Sequence, residues 1–529
     1  MKNPGTPTTS YFAQSFGNGT ADRLDESSYR DEKQTEFDGD ARAPVLGRAI
    51  AFVRRNFWKF LAISAAVLVP CFWHRTIVAG DLGSHVYNAW LAQLIERGQA
   101  PGLWLAHRWN NVLFDLWLEW LGRVVSLQVA EKIAVSAAVL IFFWGTFALV
   151  GAASRRAPWY LCPGIAMFAY GYSFHMGFMN FYISLGLAFF GMAIFWRGKG
   201  WELLVPVALG PLIILAHPLG FAWLAGGSAY VVMAQKFPRR FHIVLLVACA
   251  LCLFAARYYF WHHDIVEAQP DSIYFFNGLD QVVLFGWRYA IPEFALLIFI
   301  FAAFAEDFRS RAWGRFHRWK DYAIPLQLYA VVCLAVILLP EAIRFPHQPS
   351  ALALLTERLT SLSAAMLCCL LGVLRPRKWH LLACGAIAAV FFVFLYQDTG
   401  TINQMEAQVR RLVRTLPPDQ RVLGTIKPFP GSRILIQHML DRACVGHCFS
   451  YGNYEPPSAQ FRVRATPGNR YAMFSFDDTV DMEEGTYDVQ AKDLPAYQVY
   501  QCSASGKELC IRPLEDGEEN DRLGVHPEE

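Results

Sequence analysis

A succession of long apolar runs between residues 57 and 397 constrains the fold of this chain more than any other feature. A helix needs about 20 predominantly apolar residues to cross a bilayer core, and roughly 17–25 is the usual range. The fifth and sixth runs are short and share His217-Pro218, so they are either one broken helix or a tight hairpin. The sequence therefore predicts an all-α polytopic membrane protein with eleven spans, at 57–73, 133–153, 158–174, 180–196, 203–216, 219–234, 242–260, 282–305, 323–340, 359–374 and 379–397.

The distribution of lysine and arginine among the loops predicts the orientation. The loops after the third and fifth spans have no positive residue, whereas the loops after even-numbered spans contain Arg155, Arg156, Arg197, Lys199, Lys236, Arg239, Arg240, Arg309, Arg311, Arg315, Arg318, Lys320, Arg375, Arg377 and Lys378. Positive charges resist translocation and mark cytoplasmic loops. We therefore expect a multi-pass protein of the plasma (inner) membrane with a cytoplasmic N-terminus. Residues 1–45 are polar and read as a disordered cytoplasmic tail before an uncleaved first span.

The region after residue 397 is polar and mixes helical and strand patterns. Helices are predicted at 402–415 and near 432–442, and strands at 421–426, near 460–465 and at 497–501. We expect a transmembrane domain over 46–397, a small external α/β domain over 398–513 and a disordered acidic tail over 514–529.

The twelve cysteines divide by location. Eight lie in predicted spans, where small apolar packing residues are expected. The others lie in the domain that the charge pattern places outside. An oxidising compartment favours disulfides there, and four cysteines allow three connectivities. A zinc site is the alternative because His438 and His447 are nearby, but we expect disulfides among Cys444, Cys448, Cys502 and Cys510.

The first inter-span loop, 74–132, contains the strongest candidates for chemistry. Asp81 follows the first span by a few residues, His85 lies one helical turn further on, and Tyr87 belongs to the same short segment. Asp81 is a helix N-cap in the simplest interpretation, and this role is compatible with a catalytic one because both need an ionised carboxylate. The segment 112–124 places two tryptophans opposite a charged face, which is typical of a helix in the membrane interface. Packing on an external domain is the alternative.

The pattern Asp81, Tyr87, Leu94-Ile95, Gly98 and Pro101, directly after the first span, resembles the first external loop of the GT-C membrane glycosyltransferases. These include the protein O-mannosyltransferases and the bacterial transferases that move aminoarabinose to lipid A. The motif covers residues 78–102, and Leu82 stands where many members have a second acid. The resemblance implies a catalytic base at Asp81, a donor sugar linked to polyprenyl phosphate, and a glycan, lipid or protein acceptor on the external face. Membrane lipids are the other expected partners, and no nucleic acid is expected.

Further polar residues fall at the ends of spans on the side predicted for Asp81. Ionisable groups at membrane depth are costly and therefore suspect as functional groups. His175 and His217 either bind substrate or cap helix ends. Arg288 and Arg358 suit the donor phosphate through their forked N–H groups, although Arg358 also fits snorkelling to headgroups. The candidate substrate-binding residues are His85, Tyr87, His175, Asn180, His217, Arg288 and Arg358.

No motif requires a cofactor. The acids at 264, 267 and 271 are candidates for a divalent cation, but their spacing fits no ligand pattern. The sequence contains no P-loop, no GxGxxG and no HExxH. Two functions remain: a glycosyltransferase, or a non-enzymatic transporter or flippase for lipid-linked glycans. Transporters typically show internal repeats and mid-membrane polar sites. The polar residues here gather on one side, which favours the enzyme.

Overall fold

The computed structural model describes residues 44–263, 265–267, 275–312, 319–344, 352–503 and 507–518. The tails predicted at 1–45 and 514–529 lie largely outside these residues, and the acids at 264 and 271 lie wholly outside them.

Within the described ranges, fifteen α-helices of the membrane region follow one another along the chain. They are α1 Val45–Arg55, α2 Phe57–Phe72, α3 Leu82–Glu96, α4 Leu113–Gly122, α5 Leu127–Ser154, α6 Cys162–Ala169, α7 Tyr172–His175, α8 Met179–Arg197, α9 Leu204–Ala216, α10 Pro218–Lys236, α11 Arg240–His263, α12 Ala290–Ala312, α13 Trp319–Leu338, α14 Leu355–Val373 and α15 Lys378–Val413.

The lengths and compositions of these helices are those of a helical membrane protein. Among the described residues, seven helices are long and apolar enough to cross a bilayer, or up to eight if α1 and α2, bent by 79°, form one span. The predicted count of eleven is therefore not confirmed. The predicted third, fifth and sixth spans account for most of the difference.

The predicted third span is an interrupted segment. It consists of a 3-10 turn at Trp159–Leu161, then α6 and the four-residue α7. The Tyr160 hydroxyl donates to the Leu371 carbonyl near the end of α14, and Ser173 bonds Ser361 near its beginning, at 2.5 Å. The segment therefore runs antiparallel to α14 and is broken after α6. The apolar composition of the segment gives no sign of this break.

The predicted fifth and sixth spans form a hairpin. A Cβ added to Gly191 of α8 would lie 2.8 Å from the Leu224 side chain of α10 and 3.2 Å from that of Pro206 in α9. In one straight helix those two residues would be about 27 Å apart along the axis. The chain therefore folds back at His217-Pro218, and both arms pack on α8.

Basic residues that follow α5 and α14 lie together at one end of the bundle. The Arg156 guanidinium donates to the Val373 and Leu374 carbonyls after α14, at 3.0 and 3.3 Å, and Arg377 pairs with Glu306 at 2.8 Å. The first turns of α8 and α14, which carry Asn180 and Arg358, lie at the opposite end because these helices run the length of the bundle.

The membrane region continues without a break into the C-terminal domain. Helix α15 has 36 residues and joins the predicted last span to the predicted helix at 402–415. The domain adds β4 Arg421–Thr425, α16 Met439–Cys444, β5 Phe449–Ser450, α17 Glu455–Ser458, β6 Val463–Ala465, α18 Phe476–Glu484, β7 Ala496–Gln501 and β8 Leu509–Pro513.

Four of these strands form the sheet of the domain, in the order β5-β4-β7-β8. Strand β4 is parallel to β5 and β7, and β8 is antiparallel to β7. The predicted strand near 460–465 does not join this sheet: β6 pairs with β1 (Leu103–Leu105) of the first loop. A second small ribbon pairs β2 (Ile265–Glu267) with β3 (Ala342–Arg344).

Arg442 of α16 fastens the domain to the membrane region. Its guanidinium pairs with Glu131 of α5 and Glu406 of α15, both at 2.6 Å, and donates to the Ile77 carbonyl at 3.0 Å. All three charged side chains are buried. The cysteine prediction is confirmed in the same domain, with disulfides Cys444–Cys448 and Cys502–Cys510.

Candidate functional site

Asp81 lies where the first loop is fixed to the turn after α7. The backbone N–H groups of Gly80 and Asp81 donate to the carbonyls of His175 and Met176, at 2.6 and 3.0 Å. Gly177 has φ 86°, and a Cβ there would lie 2.5 Å from the Asp81 nitrogen, so only glycine permits this approach. The Asp81 backbone is helical and its carboxylate makes no cap hydrogen bond. Asp81 thus occupies the N-cap position of α3 without a side-chain cap hydrogen bond, and the side chain is 21% exposed.

His438 faces the Asp81 carboxylate from the C-terminal domain. Its Nε2 lies 3.8 Å from Asp81 Oδ1, and its Nδ1 bonds Asp441 Oδ2 at 3.0 Å. Burial opposes the imidazolium, but the hydrogen bond and charge of Asp441 outweigh it and raise the pKa of His438 to about 9. The Ser450 hydroxyl donates to the other oxygen of Asp441. The His438 imidazolium therefore lies between the carboxylates of Asp81 and Asp441.

Close packing of α3 maintains this arrangement. A Cβ on Gly83 would lie 2.0 Å from the His438 carbonyl oxygen, so α3 touches the backbone that precedes α16. Glu483 of α18 completes the group, and burial raises its pKa to about 7. The Gln437 amide donates to Glu483 at 2.9 Å.

Arg358 approaches the same group from the first turn of α14. Its guanidinium stacks on the Phe178 ring, 4.2 Å from the ring centre, and interacts electrostatically with Asp81. Within the described part of the chain, the buried Nε of Arg358 has no hydrogen-bond partner. Burial and the charge of Arg358 lower the pKa of His217 to about 3, and the neutral ring accepts from the Leu219 N–H at 3.2 Å. His217 is thus a helix cap beside Arg358.

A second polar group joins α3, α4 and the C-terminal domain. His85 Nδ1 bonds Asp115 Oδ1 at 2.7 Å, so His85 orients toward Asp115 rather than Asp81. The Asn180 amide donates to the other oxygen of Asp115 at 2.9 Å and accepts from the Phe114 N–H at 2.7 Å. Glu455 Oε1 lies 4.0 Å from His85 Nδ1. These three ionisable side chains offer ligand atoms within 4.8 Å of one another, a spacing that a metal ion can use.

Burial and neighbouring charges shift the pKa values of His85 and Glu455 in this second group. Burial disfavours the charged imidazole of His85, but Asp115 and then Glu455 raise its pKa to about 9. Burial and the charge of Asp115 raise the pKa of Glu455 well above its usual range. Helix α4 presents its polar face to this group, while Trp120 is 66% exposed on the opposite face. Asp115 lies on the face of α4 that the sequence predicts to point away from the membrane, and it lines the site.

Three predicted binding residues have partners within the protein. The Tyr87 hydroxyl is buried and accepts from the Ser450 N–H at 3.0 Å. His175 Nδ1 bonds the Val78 carbonyl at 2.8 Å and braces the Asp81 segment. Arg288 lies in a 3-10 turn, Trp287–Tyr289, and pairs with Asp398 of α15 at 2.5 Å.

The residues that sequence analysis missed come from the C-terminal domain. His438 was considered only as a zinc ligand, and Asp441, Tyr454, Glu455 and Glu483 were not singled out. The aromatic and polar segment "CFSYGNYEPPSAQ" was the one available signal, since it contains Tyr454 and Glu455. The Tyr454 ring packs 5.0 Å from the His438 ring and 5.8 Å from that of Phe461.

The site therefore combines a partly exposed carboxylate, an imidazolium and a guanidinium at one end of a helical bundle. Such a set can accept a proton and bind an anion in the same place. No protein-family model matches the chain, and comparisons with curated proteins and with solved structures gave no match either.

Proposed function

We propose that the protein is a membrane glycosyltransferase of the GT-C type. It moves a sugar from a polyprenyl-phosphate-linked donor to a glycan, lipid or protein acceptor, with Asp81 as the general base. One observation carries the proposal: the Asp81 carboxylate caps no helix, and it shares its surroundings with Arg358, whose buried Nε has no partner among the described residues.

The chemistry needs a proton acceptor at this position. A hydroxyl oxygen of the acceptor forms a bond to the sugar's anomeric carbon while the bond from that carbon to the phosphate oxygen breaks. The hydroxyl proton passes to Asp81, and polyprenyl phosphate leaves with the bonding electrons. His438 Nε2 lies 3.8 Å from Asp81 Oδ1, and Asp441 fixes the His438 ring beside the proposed base.

The leaving phosphate needs a cation at the same depth. The polyprenyl tail lies in the bilayer, so the phosphate stays near the end of the helical bundle. Arg358 begins α14 at that end, and a guanidinium offers several N–H donors to a phosphate. Arg288 is not retained for this role because Asp398 already neutralises it.

The proposed orientation follows from the two ends of the bundle. Basic residues that follow α5 and α14 lie at the end opposite Asp81, and basic loops are retained in the cytoplasm. The site and the C-terminal domain then face the periplasm or exterior. This sidedness fits a lipid-linked donor that is used outside the cell.

The two arginines provide a matched test of the proposal. Purified protein in lipid nanodiscs is given a radiolabelled polyprenyl-phosphate-linked sugar, and the release of polyprenyl phosphate is measured. We expect release that Arg358→Gln reduces at least about tenfold, mainly through KM, because one charge-assisted phosphate contact contributes about 1.5–3 kcal/mol. Arg288→Gln should leave KM unchanged. Movement of intact donor between vesicle leaflets, without any release, would instead identify a transporter.

A further inference from the structure

We infer that His85, Asp115 and Glu455 form a binding site for one divalent transition-metal ion, Mn²⁺ or Zn²⁺. The three side chains come from α3, α4 and the start of α17, so the ion would join the first loop to the C-terminal domain. Binding of the ion is independent of the glycosyl transfer proposed above.

The ligand atoms are already near the separations that a bound ion needs. His85 Nδ1 lies 2.7 Å from Asp115 Oδ1 and 4.0 Å from Glu455 Oε1, and no two of the three ligand atoms are more than 4.8 Å apart. With metal–ligand bonds of about 2.0–2.2 Å, two ligands of one tetrahedral ion lie about 3.4 Å apart. Movements of about 1 Å, which separate Asp115 from His85 and bring Glu455 closer, complete the geometry.

Glu455 supplies the second and independent indication of a ligand. The residue is only 2% exposed, and its Oε1 is buried without a hydrogen-bond partner in the described structure. A buried polar atom left without a partner costs about 1–3 kcal/mol, and more when it is charged. A cation at this place would satisfy the oxygen that faces His85.

The surroundings orient the other two ligands. Asn180 holds Asp115 through its second oxygen, at 2.9 Å, which leaves Oδ1 directed toward His85. The rings of Phe114 and Phe461 meet the His85 ring edge to face, 5.5 and 5.7 Å away, and fix its plane. Outer contacts of this kind raise metal affinity by fixing the ligands.

The donor set selects the class of ion. One imidazole nitrogen and two carboxylate oxygens suit Mn²⁺ and Zn²⁺, whereas an all-oxygen set would favour Ca²⁺ or Mg²⁺. The absence of a thiolate from the set disfavours Cu⁺.

The test uses metal alone and needs no substrate. Full-length protein is purified with chelator, the chelator is removed, and Mn²⁺ is titrated while the electron paramagnetic resonance signal of free Mn²⁺ is recorded. We expect one tightly bound Mn²⁺ per chain, displaced by Zn²⁺. Glu455→Gln should weaken binding at least about tenfold, as should Asp115→Asn. Glu119→Gln changes a buried carboxylate on the same helix α4 and should leave the affinity unchanged.

Thermal stability separates a missing ligand from a damaged fold. Without metal, Glu455→Gln should still unfold in one cooperative transition, because the amide has nearly the same size and shape as the carboxyl group. Added Mn²⁺ should raise the Tm of the wild type and of Glu119→Gln, but not that of Glu455→Gln. The inference is overturned if folded wild-type protein binds neither Mn²⁺ nor Zn²⁺ stoichiometrically, or if both ligand variants bind Mn²⁺ as tightly as the wild type.

Discussion

At the scale of single residues, the protonated state of His438 links stability to pH. Asp441 holds the imidazolium at 3.0 Å, Asp81 faces it at 3.8 Å, and the charge of Glu483 also favours it. The pKa of His438 is about 9 in the folded protein, against 6.5 for an ordinary histidine. The charged form therefore stabilises the fold fully below pH 6.5, and this stabilisation is lost as the pH rises through 9.

The first prediction follows from this loss of stability at high pH. The wild-type Tm in detergent should fall between pH 6.5 and 9.5, by an amount that reflects on the order of 3 kcal/mol per histidine with such a pKa. His438→Gln should lower the Tm at pH 6.5 and flatten the decline. His447→Gln alters a histidine of the same domain that bonds a backbone carbonyl, and its decline should match that of the wild type. Parallel curves for wild type and His438→Gln would refute the assigned pKa.

Which residues carry the site was only partly predictable. Asp81, His85, Asn180 and Arg358 were singled out, because polar groups at span ends are costly and therefore conspicuous. Their partners were not, because His438 and Glu455 come from a domain more than 350 residues away in sequence, and long-range packing has no local signature. The partner of Tyr87 could not be predicted either, because it is the backbone N–H of Ser450 in the C-terminal domain.

At the scale of elements, α16 is held to α5 and α15 by one arginine. Removing Arg442 would leave two buried carboxylates, Glu131 and Glu406, without their common cation. Breaking a buried pair in this way typically costs about 3–5 kcal/mol. The domain that carries His438 would then lose one of its contacts with the helix ends, while the β1–β6 pairing and the packing of α3 would remain.

The second prediction measures this attachment. Arg442→Met should lower the Tm markedly and speed proteolysis of the C-terminal domain, and adding Glu131→Gln should restore part of the loss. Arg123→Met removes a half-exposed arginine that pairs with Glu96 and Glu119. The pair with Glu96 is exposed, and Glu119 keeps Arg462 as a partner, so the expected loss is about 0–1 kcal/mol. Equal losses for the two arginine variants would show that Arg442 does not fasten the domain.

The elements themselves were predicted with uneven success. The second, fourth, seventh and eleventh apolar runs became α5, α8, α11 and α15 because they contain nothing that interrupts a helix. The third apolar run does not form one continuous helix, because α6 ends before Gly171. The backbone there passes close to Gln281: a Cβ added to Gly171 would lie 2.9 Å from the Gln281 carbonyl oxygen. Strands β4 and β7 were correctly placed by their apolar patterns, whereas the partner of β6 lies in the first loop and could not be inferred.

At the scale of the whole molecule, the two ends of the bundle differ in charge and content. Basic residues mark one end, and the Asp81 site and the C-terminal domain occupy the other. The proposed reaction depends on this sidedness because a lipid-linked donor is used on one face only.

The third prediction tests sidedness by labelling. Cysteines are introduced one at a time at two exposed positions, Lys492 in the domain and Lys378 at the start of α15, in a Cys252→Ser background. In intact cells an impermeant maleimide should label Lys492→Cys at once and Lys378→Cys only after permeabilisation. The reverse pattern would place the site in the cytoplasm.

The central claim is that Asp81 removes the acceptor proton, and one comparison tests it most directly. Turnover of a polyprenyl-phosphate-linked sugar is measured for purified wild type and Asp81→Asn, with Glu119→Gln as a control carboxylate variant. Because the Asp81 side chain makes no cap hydrogen bond, Asp81→Asn should keep the monodisperse elution of the wild type. It should lose at least about 100-fold in kcat, the usual cost of a missing general base. A folded Asp81→Asn variant with near-normal turnover would contradict the account.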